Sequence, residues 1–157
     1  MSEPPLSVLF LCTGNSARSQ MAETILRQLS HGTIDVVSAG TEPQAAIHPM
    51  ARQAVRRLLN IEMTGQYPKS FDAVATRHFD YVITVCDRAA ESCPVFPGDT
   101  ERIHWGYEDP AAVTGTDEQK QRAFDAVAQQ LLARMRVWLS LPVLRDRLER
   151  DRPTRTS

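Results

Sequence analysis

A cysteine followed six residues later by an arginine is the spacing in this chain most suggestive of chemistry. The segment Cys12-Thr-Gly-Asn-Ser-Ala-Arg18 lies between a short apolar run and a segment with helical periodicity. Backbone N–H groups at a helix start bind anions, and a guanidinium can hold two oxygens of a tetrahedral anion. The positive electrostatic field of the helix start and the guanidinium lowers the pKa of a nearby thiol, and Ser19 can donate a hydrogen bond to the sulfur. The loop therefore predicts a Cys12 nucleophile at the floor of an oxyanion site.

The predicted oxyanion-binding residues continue from the cysteine into the helix. They are Thr13, Gly14, Asn15, Ser16, Ala17, Arg18 and Ser19. The spacing of Cys12 and Arg18 by itself is weak evidence for an oxyanion site, because Arg is a frequent residue in this chain. The alternative interpretation makes Cys12 a small buried hydrophobic residue and Arg18 a surface cation, and the strand–loop–helix context argues against it.

Two further cysteines, Cys86 and Cys93, lie seven residues apart, the first directly after the apolar run Tyr81–Val85. The residues between them suit a short helix that would bring both thiols to one edge of the fold. On spacing alone, packing is the stronger interpretation. The odd total of three cysteines argues against a framework in which every cysteine is in a disulfide, as in small secreted proteins. Three thiols also fall short of a closed four-ligand zinc site unless a His joins them. We expect no metal and no cofactor.

A possible proton donor follows the fourth apolar run. Asp109-Pro110 lies in a loop after Arg102–Trp105, where a carboxylic acid could protonate a departing oxygen. Asp-Pro is also a common turn dipeptide, and taken alone that interpretation is the better one.

The elements that position these residues alternate between strands and helices. Short apolar runs predict strands at Ser7–Leu11, Asp35–Ser38, Tyr81–Val85 and Arg102–Trp105, and helical spacing predicts helices at 18–29, after Pro49, and from Thr116 to about Leu139. Thr116 and Gln119 form a capping-box pattern. This order predicts an α/β fold with a parallel sheet, in which Cys12, Cys86 and the segment after Trp105 meet at the carboxyl ends of the strands.

Bulk properties narrow the class of protein. The chain has 157 residues and a formal net charge of −1, so neither nucleic acid nor an anionic membrane is an expected partner. No apolar run is long enough for a signal peptide or a membrane span, and we expect a cytoplasmic monomer. One catalytic domain is predicted over residues 1–142. The mixed charges after Pro142 predict a solvated helix end and a loose, charged tail over residues 143–157.

The segment Val8–Glu23 resembles the signature loop and first helix of the low-molecular-weight phosphatase superfamily, and more closely its thioredoxin-coupled arsenate reductases. The resemblance extends to about Leu139. It implies a single-domain three-layer sandwich with a four-stranded parallel sheet and flanking helices, flavodoxin-like in layout. It also implies that Cys12 is the nucleophile, Arg18 the oxyanion clamp and Asp109 the general acid, with arsenate or phosphate as the ligand.

The resemblance further implies a relay of three thiols. The family carries a Cys pair seven residues apart on a mobile segment, and Cys86 and Cys93 match it. Cys12 would form a covalent adduct with arsenate, Cys86 would then attack Cys12, and Cys93 would attack Cys86. The final Cys86–Cys93 disulfide would pass to thioredoxin, although glutaredoxin with glutathione or another small thiol stays open. Gly98 and Gly106 are candidates for the flanks of the moving segment.

Two rival functions remain at this stage. A phosphatase would use Cys12, Arg18 and Asp109 only, but phosphatases of this family usually have aromatic residues where Ala111 and Ala112 follow the Asp-Pro pair. A non-catalytic module would capture an oxyanion or arsenite with the three thiols, and the acid and the reactive-thiol loop argue against it.

The sequence departs from many relatives at two places. Ala17 stands where they have a cysteine outside the relay. Some relatives bind potassium, and Asn15, Glu23 and Ser38 match three of its ligands, whereas the acidic fourth falls near Lys69, whose ammonium could replace the ion. No role is predicted for three of the four histidines, which are His31, His48 and His78.

Overall fold

The structure is a computed structural model that describes residues 4–91, 93 and 96–151, with the backbone alone for Ala90 and Asp151. Four strands alternate with helices. The strands are β1 (Ser7–Cys12), β2 (Asp35–Gly40), β3 (Tyr81–Thr84) and β4 (Glu101–His104). The helices are α1 (Arg18–Leu29), α2 (Pro49–Leu59), α3 (Asp87–Glu91), α4 (Asp117–Leu139) and α5 (Pro142–Asp151), with 3₁₀ turns at Phe71–Ala73 and Pro110–Ala112.

The four strands form one parallel sheet in the order β2-β1-β3-β4. All six residues of β1 are buried, as expected for the central part of a parallel sheet that is covered by helices. The register aligns Cys12 with Gly40 and Thr84 with His104, so the carboxyl ends of all four strands meet at one edge. The predicted α/β fold with a four-stranded parallel sheet and flanking helices is confirmed.

Apolar side chains from the sheet and the helices form one core. Its largest fully buried members include Phe10, Phe79 and Phe124. At one side, the Trp138 ring meets Tyr81 and Trp105 edge-on, at centroid distances of 5.3 and 5.7 Å. These contacts fix α4 against β3 and the segment after β4, which leads directly into the loop that carries Asp109.

The capping box at the start of α4 is present. Thr116 Oγ1 accepts a hydrogen bond from Gln119 N, and Gln119 Oε1 accepts one from Thr116 N. Within the described ranges, none of the helices has both the length and the apolar composition that a membrane crossing requires.

The chain beyond Leu139 differs from the predicted tail. Pro142 starts α5 instead of ending the ordered chain, because proline is well tolerated in a first helical turn. Leu144 on this helix is 2% exposed and belongs to the core. The interpretation as a loose tail from residue 143 is therefore wrong up to Asp151, and residues 152–157 lie outside the described part of the chain.

Candidate active site

The segment Cys12–Arg18 links the carboxyl end of β1 to the start of α1. Ala17 is the N-cap of α1 and has no polar side chain, so no side chain caps the first N–H groups of this helix. The loop's carbonyl groups are engaged by the neighbouring segment 41–48. Its backbone N–H groups donate to Cys12 O (Thr41, 3.1 Å), Thr13 O (Glu42, 2.9 Å), Gly14 O (Gln44, 2.9 Å) and Ser16 O (His48, 2.8 Å). With these carbonyls held, the loop is well suited to present its N–H groups to an anion.

Asn15 fixes the conformation around the sulfur. It is fully buried and has a left-handed backbone with φ of 50°, which Asn tolerates better than most residues. Its N–H donates to Cys12 Sγ at 3.2 Å, and its Nδ2 donates to Ser19 Oγ at 2.8 Å. Ser19 Oγ lies 2.8 Å from Cys12 Sγ. Because this hydroxyl already accepts from Asn15, its own proton is available to the sulfur, as the sequence predicted.

A second layer of amide groups holds Asn15 and was not predicted as part of the site. Gln20, which is fully buried, donates from Nε2 to Asn15 O at 3.0 Å and to Asn15 Oδ1 at 3.1 Å. Gln66 Nε2 in turn donates to Gln20 Oε1 at 2.8 Å, and Lys69 N donates to Asn15 Oδ1 at 3.0 Å. The signal in the sequence was a polar Gln20 on the inner face of an amphipathic helix.

The residues matched to a potassium site do not fit a bound cation. Glu23 accepts from Ser38 Oγ and from Arg27 Nη2, both at 2.7 Å, so both carboxylate oxygens already have donors. Asn15 Oδ1 accepts from Lys69 N and Gln20 Nε2. The Lys69 ammonium was predicted to replace the ion beside Asn15, but it contacts Tyr67 O at 3.3 Å instead. Burial lowers the pKa of this ammonium. Arg27 supplies the positive charge beside Glu23, and no group suited to a metal occurs among the described residues.

The pKa of Cys12 differs from the sequence expectation. Burial raises the pKa of this thiol, which is 3% exposed. The hydrogen bonds from the Ser19 hydroxyl and from the Asn15 and Ser19 N–H groups lower it, and they offset the cost of desolvation only in part. The predicted net lowering is therefore wrong for this structure, because a buried thiolate loses its hydration.

The Ser19 hydroxyl gives a direct test of this balance. We expect Ser19→Ala to raise the pKa of Cys12 further, since one hydrogen bond to the thiolate is lost. Below this pKa the variant holds less thiolate, so alkylation by iodoacetamide slows at pH 7, whereas the two proteins converge at high pH. The midpoint of the pH–rate profile should move up by about one pH unit. An unchanged midpoint would contradict a role for Ser19; Ser16→Ala, in the same loop, is the control.

Arg18 and Asp109 both line the pocket above the oxyanion loop. The Arg18 side chain is 13% exposed, donates from Nη1 to Tyr107 O at 2.9 Å and lies 4.0 Å from an Asp109 carboxylate oxygen. Asp109 Oδ1 accepts from Ala111 N at 2.9 Å and so caps the 3₁₀ turn Pro110–Ala112. Asp109-Pro110 therefore forms the expected turn. Asp109 also lies beside Arg18, the predicted oxyanion clamp.

Cys86 lies next to the oxyanion loop. It directly follows Val85 at the end of the β3 segment, is 4% exposed, and its Sγ lies 3.4 Å from Thr13 Oγ1. A negative charge on Cys86 would raise the pKa of Cys12, which places the two thiols within electrostatic reach. Cys93 is half-buried beyond the predicted short helix α3; burial raises its pKa and Arg102 lowers it. None of these three cysteines is in a disulfide, and Ser92, Pro94 and Val95 are outside the described residues.

Helix α3 is attached to the rest of the protein on both sides. His104 Nε2 lies 2.9 Å from Asp87 Oδ1, and its Nδ1 lies 2.8 Å from Thr84 Oγ1. On the other side, Arg88 Nη2 lies 3.5 Å from Glu42 Oε1. Both contacts are exposed and hence weak. These two ties between α3 and its neighbours can therefore be broken at small cost.

The oxyanion loop opens into a cavity of about 500 Å³. Its lining comprises residues 12–18, Gln44, the segment 46–49, Asp109 and Ala111. The structure thus brings together the loop and Asp109 as predicted. It adds a wall from Gln44 and residues 46–49, which was not predicted because this stretch has neither strand nor helix periodicity.

Comparison with known proteins agrees with this geometry. A family model described as low molecular weight phosphotyrosine protein phosphatase matches residues 7–153. The chain therefore belongs to the low molecular weight phosphotyrosine protein phosphatase family.

Within this family, the chain is similar to proteins named arsenate reductase. The arsenate reductase of Halalkalibacterium halodurans is 38% identical over 131 residues, which are 83% of this chain and 93% of the relative. A solved arsenate reductase in a phosphate-binding state has a TM-score of 0.67 and 28% identity, over 86% of this chain and 97% of that one. The thioredoxin-dependent arsenate reductase of Corynebacterium glutamicum has a TM-score of 0.61 and 26% identity, over 88% of this chain and 65% of that one.

Proposed function

We propose that this protein reduces arsenate to arsenite through a relay of three thiols, and that it serves arsenic detoxification in the cytoplasm. The observation that carries the proposal is a second buried thiol beside the oxyanion loop, with Cys86 Sγ 3.4 Å from Thr13 Oγ1. A phosphatase needs only the first cysteine, whereas reduction by two electrons consumes two thiols, which Cys12 and Cys86 can supply within one chain. The similarity to proteins named arsenate reductase supports the same choice.

The first step is nucleophilic substitution at arsenic. Arsenate enters the cradle formed by the loop N–H groups, with its charge paired by Arg18. The Cys12 thiolate forms a sulfur–arsenic bond, and one oxygen departs as water after Asp109 supplies a proton. Arsenic is still pentavalent in this adduct. The hydrogen bonds from Ser19 and Asn15 to Cys12 Sγ keep the sulfur in line with the cradle.

The next two steps transfer electrons through sulfur. The Cys86 thiolate attacks the Cys12 sulfur, the sulfur–arsenic bond breaks, and its electron pair leaves with arsenic as trivalent arsenite. This step forms a Cys12–Cys86 disulfide. The Cys93 thiolate then attacks the Cys86 sulfur, which releases the Cys12 thiolate and leaves a Cys86–Cys93 disulfide. Cys93 is half-buried, so we expect α3 to shift during this exchange and to release its ties to His104 and Glu42.

Thioredoxin is the proposed reductant of the Cys86–Cys93 disulfide. A dithiol protein suits the reduction of a protein disulfide, and one structural relative is described as thioredoxin-dependent. A monomer that uses its own three thiols needs no second subunit for this cycle.

A coupled assay tests the function. With thioredoxin, thioredoxin reductase and NADPH, the wild type should oxidise NADPH only when arsenate is present, and arsenite should accumulate in equal amount. Replacing the thioredoxin system by glutaredoxin and glutathione should give a slower rate. Failure with every reductant, together with hydrolysis of an aryl phosphate that depends on Cys12, would make this protein a phosphatase instead.

A further inference from the structure

His48 is the titratable side chain in the wall of the cavity that the proposed mechanism leaves without a role. It is part of the lining together with Cys12, Arg18 and Asp109, and the sequence had indicated only surface or packing. Its position is fixed from three directions. The backbone N–H donates to Ser16 O at 2.8 Å, the ring packs on Phe124 at a centroid distance of 4.5 Å, and Nδ1 accepts from Met50 N at 3.1 Å.

The contact with Met50 determines which ring nitrogen carries a proton. A backbone N–H is always a donor, so Nδ1 must be an acceptor, and the proton of the neutral ring is on Nε2. Within the described part of the chain, Nε2 has no hydrogen-bond partner. His48 therefore caps α2 with one nitrogen and keeps an N–H donor available with the other.

We infer that His48 Nε2 donates a hydrogen bond to an oxygen of the anion bound in the Cys12–Arg18 loop. The argument rests on the link between His48 and Ser16, since the main-chain bond ties this ring to the same loop that cradles the anion. A neutral donor adds affinity for an oxyanion at low desolvation cost and leaves the net charge of the pocket unchanged. His48 would thus set oxyanion affinity alongside Arg18. The inference rests on the proposed function, since both need a tetrahedral oxyanion at this loop.

Two substitutions separate the roles of the two ring nitrogens. In His48→Asn, the amide oxygen occupies the place of Nδ1 and can still accept from Met50 N, whereas the Nε2 donor is lost. In His48→Gln, the longer side chain offers an N–H near the place of Nε2, whereas the cap of α2 is lost. His48→Ala removes both functions.

Binding of inorganic phosphate, measured by calorimetry, is the test, because it does not depend on turnover. We expect His48→Asn to keep the wild-type Tm and to raise the phosphate Kd about tenfold, as loss of a hydrogen bond to an ion does. His48→Gln should lower Tm by about 2–4 °C and bind phosphate nearly as the wild type does. The KM for arsenate should follow the phosphate Kd, with kcat changed less.

The inference is overturned if His48→Asn binds phosphate as tightly as the wild type, or if affinity follows Tm across the three variants. No phosphate binding by the wild type would instead overturn the proposed function at its first step, so the two failures are distinct.

Discussion

Cys93→Ser protein, mixed with excess arsenate and no external thiol, should release one arsenite per chain and then stop. Under the proposed relay, Cys12 and Cys86 are sufficient to reduce one arsenate, and Cys93 is needed only to free Cys12 afterwards. The product should be a chain with a Cys12–Cys86 disulfide, identifiable by peptide mass spectrometry. Turnover in the thioredoxin-coupled assay should fall by a factor on the order of a thousand or more, as for other lost nucleophiles.

Cys86→Ser is the matched variant for this experiment. It should release no arsenite, because no thiol beside Thr13 can attack the Cys12 adduct. Cys86 is nearly fully buried, so its replacement by the similar-sized Ser keeps the packing in place. If Cys86→Ser and Cys93→Ser released arsenite equally well, electrons would not pass from Cys12 through Cys86.

Gly40→Ala should abolish oxyanion binding at the Cys12–Arg18 loop. Gly40 ends β2 beside Cys12, and a Cβ at this position would lie 2.5 Å from Thr13 O and 3.1 Å from Asn15 N. Both neighbours are backbone atoms of the oxyanion loop, so the loop must shift. The backbone N–H groups that cradle the anion would be displaced, and so would the hydrogen bond from Asn15 N–H to Cys12 Sγ. We therefore expect activity to fall by about a hundredfold or more.

Gly14→Ala is the control for this prediction. A Cβ at Gly14 meets only the flexible side chain of Gln44, at 3.1 Å, and the Ser16 hydroxyl at 3.5 Å. Its effect on phosphate binding should be clearly smaller. Equal losses in the two variants, or full binding by Gly40→Ala, would show that the close approach of β2 does not shape the loop.

Local signals in the sequence predicted much of the fold. The four apolar runs became the four strands, and the Thr116–Gln119 capping box begins α4 as expected. Since parallel strands end at one edge, the common location of Cys12, Cys86 and the segment with Asp109 needed only the strand positions. The roles predicted for Cys86 and Asp109 came from the family resemblance. Pro142 was misinterpreted because a proline can either end the ordered chain or begin a new helix. Here it begins α5, and the burial of Leu144 in the core holds this helix against the rest of the protein.

The parts that escaped prediction depend on contacts between distant segments. The pairing of Gly14 with Gln44 and of Asn15 with Lys69 follows from the path of the chain after β2, which has no periodic signal. The raised pKa of Cys12 is a consequence of burial, and burial is a property of the packed core. The pairing of Glu23 with Arg27 is local, since the two residues lie one helical turn apart. That both oxygens of Glu23 already have donors could be seen only from the position of Ser38, which comes from a different element.

The most direct measurement counts thiols in a single turnover. Fully reduced wild-type protein, which has three thiols, is mixed with excess arsenate in the absence of any reductant. Reduction of one arsenate by two electrons should leave one titratable thiol per chain after denaturation, with one arsenite released. Three remaining thiols and no arsenite would contradict the relay.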